Sequence, residues 1–142
     1  MIKEEAERLA REQKISVDQI IREEWEMKIL QLFFDTTTGK KVLFKGGTAL
    51  RLGYGSPRYS EDLDFSVING KKITNSDMQD LGVCITSKYT EAKISDQQMK
   101  FNTALIEFKI TDSLLPYKFA LKIEISTRNS DSQYLSSLLI SP

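Results

Sequence analysis

Two aspartates separated by one residue are the first feature of this sequence that could carry chemistry. Asp62 and Asp64 belong to a run, Asp62–Val67, in which polar and apolar residues alternate strictly. This alternation predicts a half-buried strand, which places both carboxylates on one face, about 6.5–7 Å apart at the backbone. One or two carboxylates together with substrate phosphates are a common way of holding magnesium. A chance occurrence of so short a pattern is the alternative.

A diglycine turn precedes this strand in the sequence. The predicted strand Lys41–Phe44 leads to Gly46, Gly47 and Thr48, and a short helix is predicted over residues 48–52. Successive amides without a Cβ atom can approach a phosphate closely, and a helix N-terminus favours an anion. The surrounding segment 40–58 contains no acidic residue, and its basic residues are Lys40, Lys41, Lys45, Arg51 and Arg58. The alternative is a plain strand-to-helix turn with a solvated basic face, because the turn is neither a P-loop nor a dinucleotide-binding motif.

A third carboxylate stands alone in a later apolar run. Glu124 lies between Ile123 and Ile125 in a strand predicted over residues 117–126. One interpretation makes Glu124 the third acid of a two-metal site, in which one ion activates a hydroxyl and the other neutralises a leaving phosphate. The other makes it an outward glutamate paired with Lys122 or Lys109 across the sheet.

Composition excludes several other kinds of site. The chain of 142 residues contains no histidine and a single cysteine, Cys84, which rules out histidine-dependent nucleophiles, HExxH zinc sites and internal disulfides. The formal net charge is zero, so no overall field indicates a nucleic-acid or membrane partner. The charged N-terminal residues do not resemble a secretory signal, and we expect a protein of the reducing cytoplasm without a membrane span.

These candidate residues must be positioned by a small mixed domain. Helices are predicted over residues 3–13, from a capping box at Ser16 and Gln19 to about Asp35, and over residues 75–90 with Asn75 or Ser76 as the cap. Strands over 103–110 and 117–126 are expected to pair antiparallel, and Asn69-Gly70 predicts a turn. This order of helices and strands predicts a mixed α/β or α+β domain.

The chemistry-bearing segments also resemble a known family. The stretch FKGGTALRLGYGSPRYSEDLDFSV, followed later by KIEISTR, is similar to the AbiEii/AbiGii-type nucleotidyltransferases of the DNA polymerase β superfamily. The resemblance is detailed over residues 41–67 and moderate over 119–128. It implies an α+β, polymerase β-like domain with a small mixed or antiparallel sheet flanked by helices. Residues 1–142 would form the catalytic domain, without the helical domain that usually follows it in the family.

The resemblance also implies roles for individual residues. Asp62, Asp64 and Glu124 would be the catalytic and metal-binding carboxylates. A second group would bind the nucleotide phosphates or order the site: Lys45, Gly46, Gly47, Thr48, Arg58 and Ser60.

The activity implied by the resemblance is transfer of a nucleoside monophosphate from an NTP to a hydroxyl acceptor, such as RNA or tRNA. The cofactor would be Mg²⁺, with Mn²⁺ as the alternative. Known relatives include toxins of bacterial toxin–antitoxin and phage-defence systems, so an antitoxin is an expected partner. The competing hypothesis is a non-catalytic remnant that binds a nucleotide or a protein, using the helix around Trp25 and the apolar tail over residues 135–142.

Overall fold

The computed structural model describes residues 1–45 and 62–127, and the short helix predicted over 48–52 lies outside these ranges. The described part contains three α-helices and five β-strands. In chain order they are α1 (Lys3–Gln13), α2 (Val17–Phe34), β1 (Val42–Lys45), β2 (Asp62–Val67), α3 (Asn75–Lys88), β3 (Ala92–Lys100), β4 (Thr103–Ile110) and β5 (Phe119–Ser126). A short 3₁₀ turn, Gly39–Lys41, leads from α2 into β1. The expected α+β class is confirmed.

The five strands form one mixed sheet in the order β1-β2-β5-β4-β3. Strands β2 and β5 are parallel, and the other three pairings are antiparallel. The antiparallel pairing expected between the two late strands is confirmed, although the second of them begins at Phe119 rather than at residue 117. The parallel pairing joins the strand that carries the two aspartates directly to the strand that carries the lone glutamate.

The described helices and the sheet form two layers around one core. Phe33 of α2 packs against Phe65 of β2 with ring centroids 4.4 Å apart, and Phe44 of β1 stacks on Phe65 at 5.1 Å. Helix α3 approaches the same side of the sheet closely at Gly82, where an added Cβ would lie 2.8 Å from a methyl carbon of Ile94. The buried residues of the strands alternate with outward ones, so one face of the sheet forms the core and the other carries the polar side chains.

The helix boundaries follow from capping. The predicted capping box of α2 is present, with Gln19 N donating to Ser16 Oγ at 3.1 Å, and the helix ends at Phe34 as expected. The cap of α3 is Thr74, so the prediction of Asn75 or Ser76 was wrong. Asp77 N donates to Thr74 Oγ1 and Thr74 N donates to the Asp77 carboxylate, which satisfies two backbone donors at once. In the described residues, no helix is long and apolar enough to cross a membrane.

Strand β3 is an element that we did not predict from the sequence. Its residues are mostly polar and exposed, and a register shift between Ile94 and Asp96 leaves Ser95 as an extra residue. This bulge interrupts the alternation that identifies a strand in a sequence. Pairing with β4 creates the strand in the folded protein, and local pattern alone does not reveal it.

Trp25 belongs to the core and is not a surface residue available to a partner. Its side chain is 1% exposed, and its Nε1 donates a hydrogen bond of 2.8 Å to Asp112 in the segment between β4 and β5. Tyr89 meets the indole edge-on at 5.4 Å, and the Lys28 ammonium lies 4.6 Å from its ring centroid. The competing hypothesis that the helix around Trp25 binds a partner stays a prediction, and the Trp25 side chain itself is not part of such a surface.

Candidate active site

The acidic residues predicted from the sequence meet on the polar face of the sheet. Asp62 and Asp64 occupy alternate positions of β2, and their hydrophobic neighbours Leu63 and Phe65 are completely buried on the other face. Glu124 occupies the polar face of β5, and it pairs in register with Asp64. Neighbouring strands lie about 4.8 Å apart. The parallel pairing therefore brings the lone glutamate next to the aspartate pair, although sixty residues separate them in the chain.

The close approach of these carboxylates shows in the electrostatics of Asp64. Burial raises the pKa of Asp64 above its ordinary value, and the negative charges of Asp62 and Glu124 raise it further. The positive charges of Lys45 and Lys122 oppose this shift without cancelling it. A carboxyl group surrounded in this way is costly to ionise, and a bound cation would relieve the cost.

Two lysines bracket the carboxylates from opposite sides. Lys45, the last residue of β1, pairs with Asp64, whereas Lys122 of β5 pairs with Asp62. Lys45 was predicted as a site residue. Lys122 was considered only as an ion-pair partner for Glu124, although its spacing of two residues from Glu124 already predicted that both share one face.

The neighbours of Glu124 argue against a purely structural ion pair with Lys109. Across the β4–β5 pairing, Glu124 faces Leu105, whereas Lys109 faces Ala120. The Lys109 ammonium lies 4.0 Å from the Glu107 carboxylate instead. The side chain of Glu124 therefore lies between Asp64 and Leu105, and it shares its face of β5 with Lys122, two residues away.

The donor set fits a hard divalent cation that shares its ligands with a substrate. Carboxylate oxygens are the preferred protein ligands of magnesium, which commonly takes one or two carboxylates plus phosphate oxygens and waters. Across residues 1–45 and 62–127, no group of three or more histidine, cysteine, aspartate or glutamate side chains is arranged so that it could hold a metal ion. Asp62, Asp64 and Glu124 are the residues that would hold such an ion.

The remaining candidate residues lie outside the described ranges. They are Gly46, Gly47, Thr48, Arg58 and Ser60. These candidate residues all fall between two described residues, Lys45 and Asp62. Lys45 is the last residue of β1, and Asp62 is the first residue of β2. Their roles in phosphate binding stay predictions.

Comparison with solved structures identifies the class of fold. One protein of Helicobacter pylori, named as a candidate nucleotidyltransferase, matches with a TM-score of 0.61 and 27% identity, covering 84% of this chain and 50% of that one. The protein JHP933 from Helicobacter pylori matches with the same TM-score and 28% identity, covering 82% of this chain and 48% of that one. The chain thus has a nucleotidyltransferase fold and spans about half the length of these two relatives.

The family follows from the sequence match. The model of the family described as the nucleotidyl transferase AbiEii toxin of type IV toxin–antitoxin systems matches residues 28–133. This chain belongs to the AbiEii nucleotidyltransferase toxin family, and the expected family assignment is confirmed. No curated protein shows significant similarity to the chain.

Proposed function

We propose that this chain catalyses the magnesium-dependent transfer of a nucleoside monophosphate from an NTP to a hydroxyl group. The acceptor oxygen forms a new bond to the α-phosphorus, the bond between the α-phosphorus and its bridging oxygen to the β-phosphate breaks, and pyrophosphate leaves. The observation that carries the proposal is the pairing of Asp64 with Glu124 beside Asp62 on the polar face, in a chain of this family.

Each carboxylate has a distinct position and therefore a distinct proposed task. Asp62 and Asp64 would hold the cation, with Mg²⁺ favoured and Mn²⁺ as the substitute. The ion would neutralise charge on the phosphates and make the acceptor hydroxyl more acidic. Glu124, across from Asp64, would orient that hydroxyl and accept its proton.

The positive groups would restrain the nucleotide. Lys45 lies at the end of β1, adjacent to Asp64, and would contact a phosphate oxygen. Gly46, Gly47 and Thr48 would contribute backbone and hydroxyl donors to the β- and γ-phosphates, and Arg58 and Ser60 would order the site. Catalysis by such a set relies on positioning and charge neutralisation, without a covalent enzyme intermediate.

The biological role that we propose is that of the toxin in a type IV toxin–antitoxin system. An RNA, such as a tRNA, would be the acceptor, and an antitoxin would oppose the toxin in the cytoplasm. Inducible expression in bacteria tests the toxic role, because the wild-type chain should arrest growth and the Asp64→Asn variant should not. Equal growth of both strains, at equal protein levels, would contradict it.

The enzymatic activity is tested with NTPs labelled at the α-phosphate and total RNA. We expect label transfer that needs Mg²⁺ or Mn²⁺ and falls by about 10²-fold or more in Asp64→Asn and Glu124→Gln, the loss typical of a removed transition-state contact. Asp80→Asn is the matched control, since Asp80 is exposed on α3. Transfer that survives in Asp64→Asn would refute the site. Stabilisation by Mg-NTP without any transfer would favour the nucleotide-binding remnant.

A further inference from the structure

Strand β3 lies at one edge of the sheet and has an open side. It pairs with β4 on one side, and none of the described strands pairs with the other. Lys100 and Thr103 pair across a two-residue turn, so they exchange backbone hydrogen bonds with each other. Because hydrogen-bonded and non-hydrogen-bonded pairs alternate, the N–H and C=O groups of Gln97 and Met99 point away from β4. These four groups are available to a further strand.

A bulge limits how much of this edge another strand could use. The extra residue Ser95 interrupts the regular pairing of β3 with β4, and bulges hinder the addition of a strand at an edge. Beyond the bulge, Asp96–Lys100 pairs with β4 without irregularity. We call these five residues the open segment.

The charges of the open segment complement those of a second copy of itself. Asp96 and Lys100 lie on the same face of β3, at equal distances on either side of Gln98. If two copies pair antiparallel with Gln98 opposite Gln98, each Asp96 faces Lys100 of the other copy. Opposite charges in direct cross-strand register stabilise a sheet. On the β4 side, Asp96 faces Glu107 and Lys100 faces Thr103, so neither has an opposite charge directly across from it there.

The same register also joins the backbone groups of the two open edges. Gln97 and Met99 share the other face of β3, and each would lie opposite the other across the interface. Their outward N–H and C=O groups would then form hydrogen-bonded pairs. A shift of two residues would place Lys100 opposite Gln98 or Ile94 and lose both ion pairs. A shift of one residue would set residues of opposite faces against each other. The open segment therefore favours a single register.

An exposed aromatic side chain stands at the end of the open segment. Phe101 is 95% exposed, and Ile94 of β3 is 43% exposed. In the register centred on Gln98, Phe101 would fall opposite Ser95 of the second copy, beside its Ile94. Five paired residues extend only about 17 Å, which is little for a stable interface. A phenylalanine buries about 150–250 Å², so the two rings would supply apolar area that the short ladder lacks.

We propose that the open segment is the interface of a homodimer. Two copies of this chain pair antiparallel along Asp96–Lys100, with Gln98 on the two-fold axis and each Phe101 packed against Ile94 of the other copy. A second copy fits this edge because a two-fold interface requires one surface to complement itself, and the placement of Asp96 and Lys100 about Gln98 meets that requirement. The inference goes beyond the proposed function and does not depend on transfer.

Sedimentation equilibrium tests the dimer through a pair of charge reversals. The wild type should show a reversible monomer–dimer equilibrium at concentrations up to about 0.5 mM. Lys100→Glu and Asp96→Lys should each raise the dimer Kd at least about tenfold, because two symmetry-related ion pairs become repulsive contacts. An equimolar mixture of these two variants should dimerise again, since every pair in the heterodimer has opposite charges. Lys3→Glu, exposed on α1, is the matched control and should keep the wild-type Kd.

Hydrogen exchange of individual amides gives a second readout, which a merely structural role of these side chains would not produce. The outward amides of Gln97 and Met99 should exchange more slowly as the protein concentration rises. Phe101→Ser should raise the dimer Kd at least about tenfold and remove this dependence on concentration, with an unaltered melting temperature in dilute samples.

Several results would overturn the inference. They are a wild type that stays monomeric up to about 0.5 mM, a mixture of Lys100→Glu and Asp96→Lys that does not dimerise, and equal weakening by Lys3→Glu. Asp64→Asn should dimerise as the wild type does, so loss of transfer and loss of the dimer are distinguishable.

Discussion

Replacing Asp64 with asparagine should stabilise the ligand-free protein while abolishing transfer. Asp64 is half-buried, pairs with Glu124 and lies two residues from Asp62, and these charges together with burial raise its pKa. Two like charges at a separation of about 5 Å repel by about 3 kcal/mol at an effective dielectric constant of 20, and by about 1 kcal/mol in water. Lys45 and Lys122 offset part of this repulsion.

The net gain that we expect from Asp64→Asn is about 1 kcal/mol at neutral pH, or about 3 °C in melting temperature for a domain of this size. The direction of the pKa shift of Asp64 also determines how the stability difference between the variant and the wild type depends on pH. Because the pKa of Asp64 is raised in the folded state, the ionised carboxyl destabilises the wild type above that pKa. Below the ordinary value of 3.8 the residue is protonated in both states, so the difference between the two proteins should vanish there.

Thermal unfolding at pH 7.5 and pH 3.5, in samples without divalent cations, measures the stability gain of Asp64→Asn at neutral pH and its loss in acid. Asp80→Asn is again the control, and it should shift the melting temperature by less than about 1 °C because surface substitutions are usually near neutral. Adding Mg-NTP at about 100 times its Kd should stabilise the wild type by about 2.7 kcal/mol and Asp64→Asn by much less. A variant that is less stable than the wild type at neutral pH, or that responds to Mg-NTP as the wild type does, would refute the reasoning.

Three further predictions follow from the packing that supports the site. Burial raises the pKa of Asp77, but the hydrogen bonds that it accepts from Lys41 and Thr74 outweigh this effect and lower the pKa. The contribution of Asp77 to stability should therefore be present above pH 4 and be lost as the pH falls through its lowered pKa. Urea titrations of Asp77→Ala and the wild type should differ by about 1–2 kcal/mol at pH 7 and converge in acid. Phe65→Ala should cost about 3–5 kcal/mol in chemical denaturation and reduce transfer, whereas a milder Phe65→Leu should retain both, because the ring supports the strand that carries the two aspartates. Trp25→Phe should cost about 1–2 kcal/mol, measured by urea unfolding followed by circular dichroism, since it removes the hydrogen bond to Asp112; an unchanged midpoint would contradict that estimate.

Local signals were sufficient for much of the fold. The capping box at Ser16 and Gln19 predicted the start of α2, because its hydrogen bonds join residues only three positions apart. The strict alternation of Asp62–Val67 predicted β2 and the shared face of its two aspartates. Prediction failed where pairing decided the conformation, as in β3, whose bulge at Ser95 disrupts its pattern.

The candidate site likewise contains residues that local sequence signals predicted and a residue whose position depends on strand pairing. Residue types and spacing singled out Asp62, Asp64 and Glu124, and resemblance to the family supplied their roles. Lys122 was undervalued, because its position beside Asp62 depends on the register between two strands that are distant in sequence.

The sequence by itself determined which groups could do chemistry. It supplied the acidic strand, the diglycine segment and the lone glutamate, and it excluded histidine and disulfide chemistry. The tertiary structure decided that β2 and β5 lie side by side and parallel, which places Glu124 opposite Asp64 and Lys122 opposite Asp62. The reason is physical: the spacing within a strand follows from local backbone geometry, whereas the register between distant strands follows from how their apolar faces pack together against the helices.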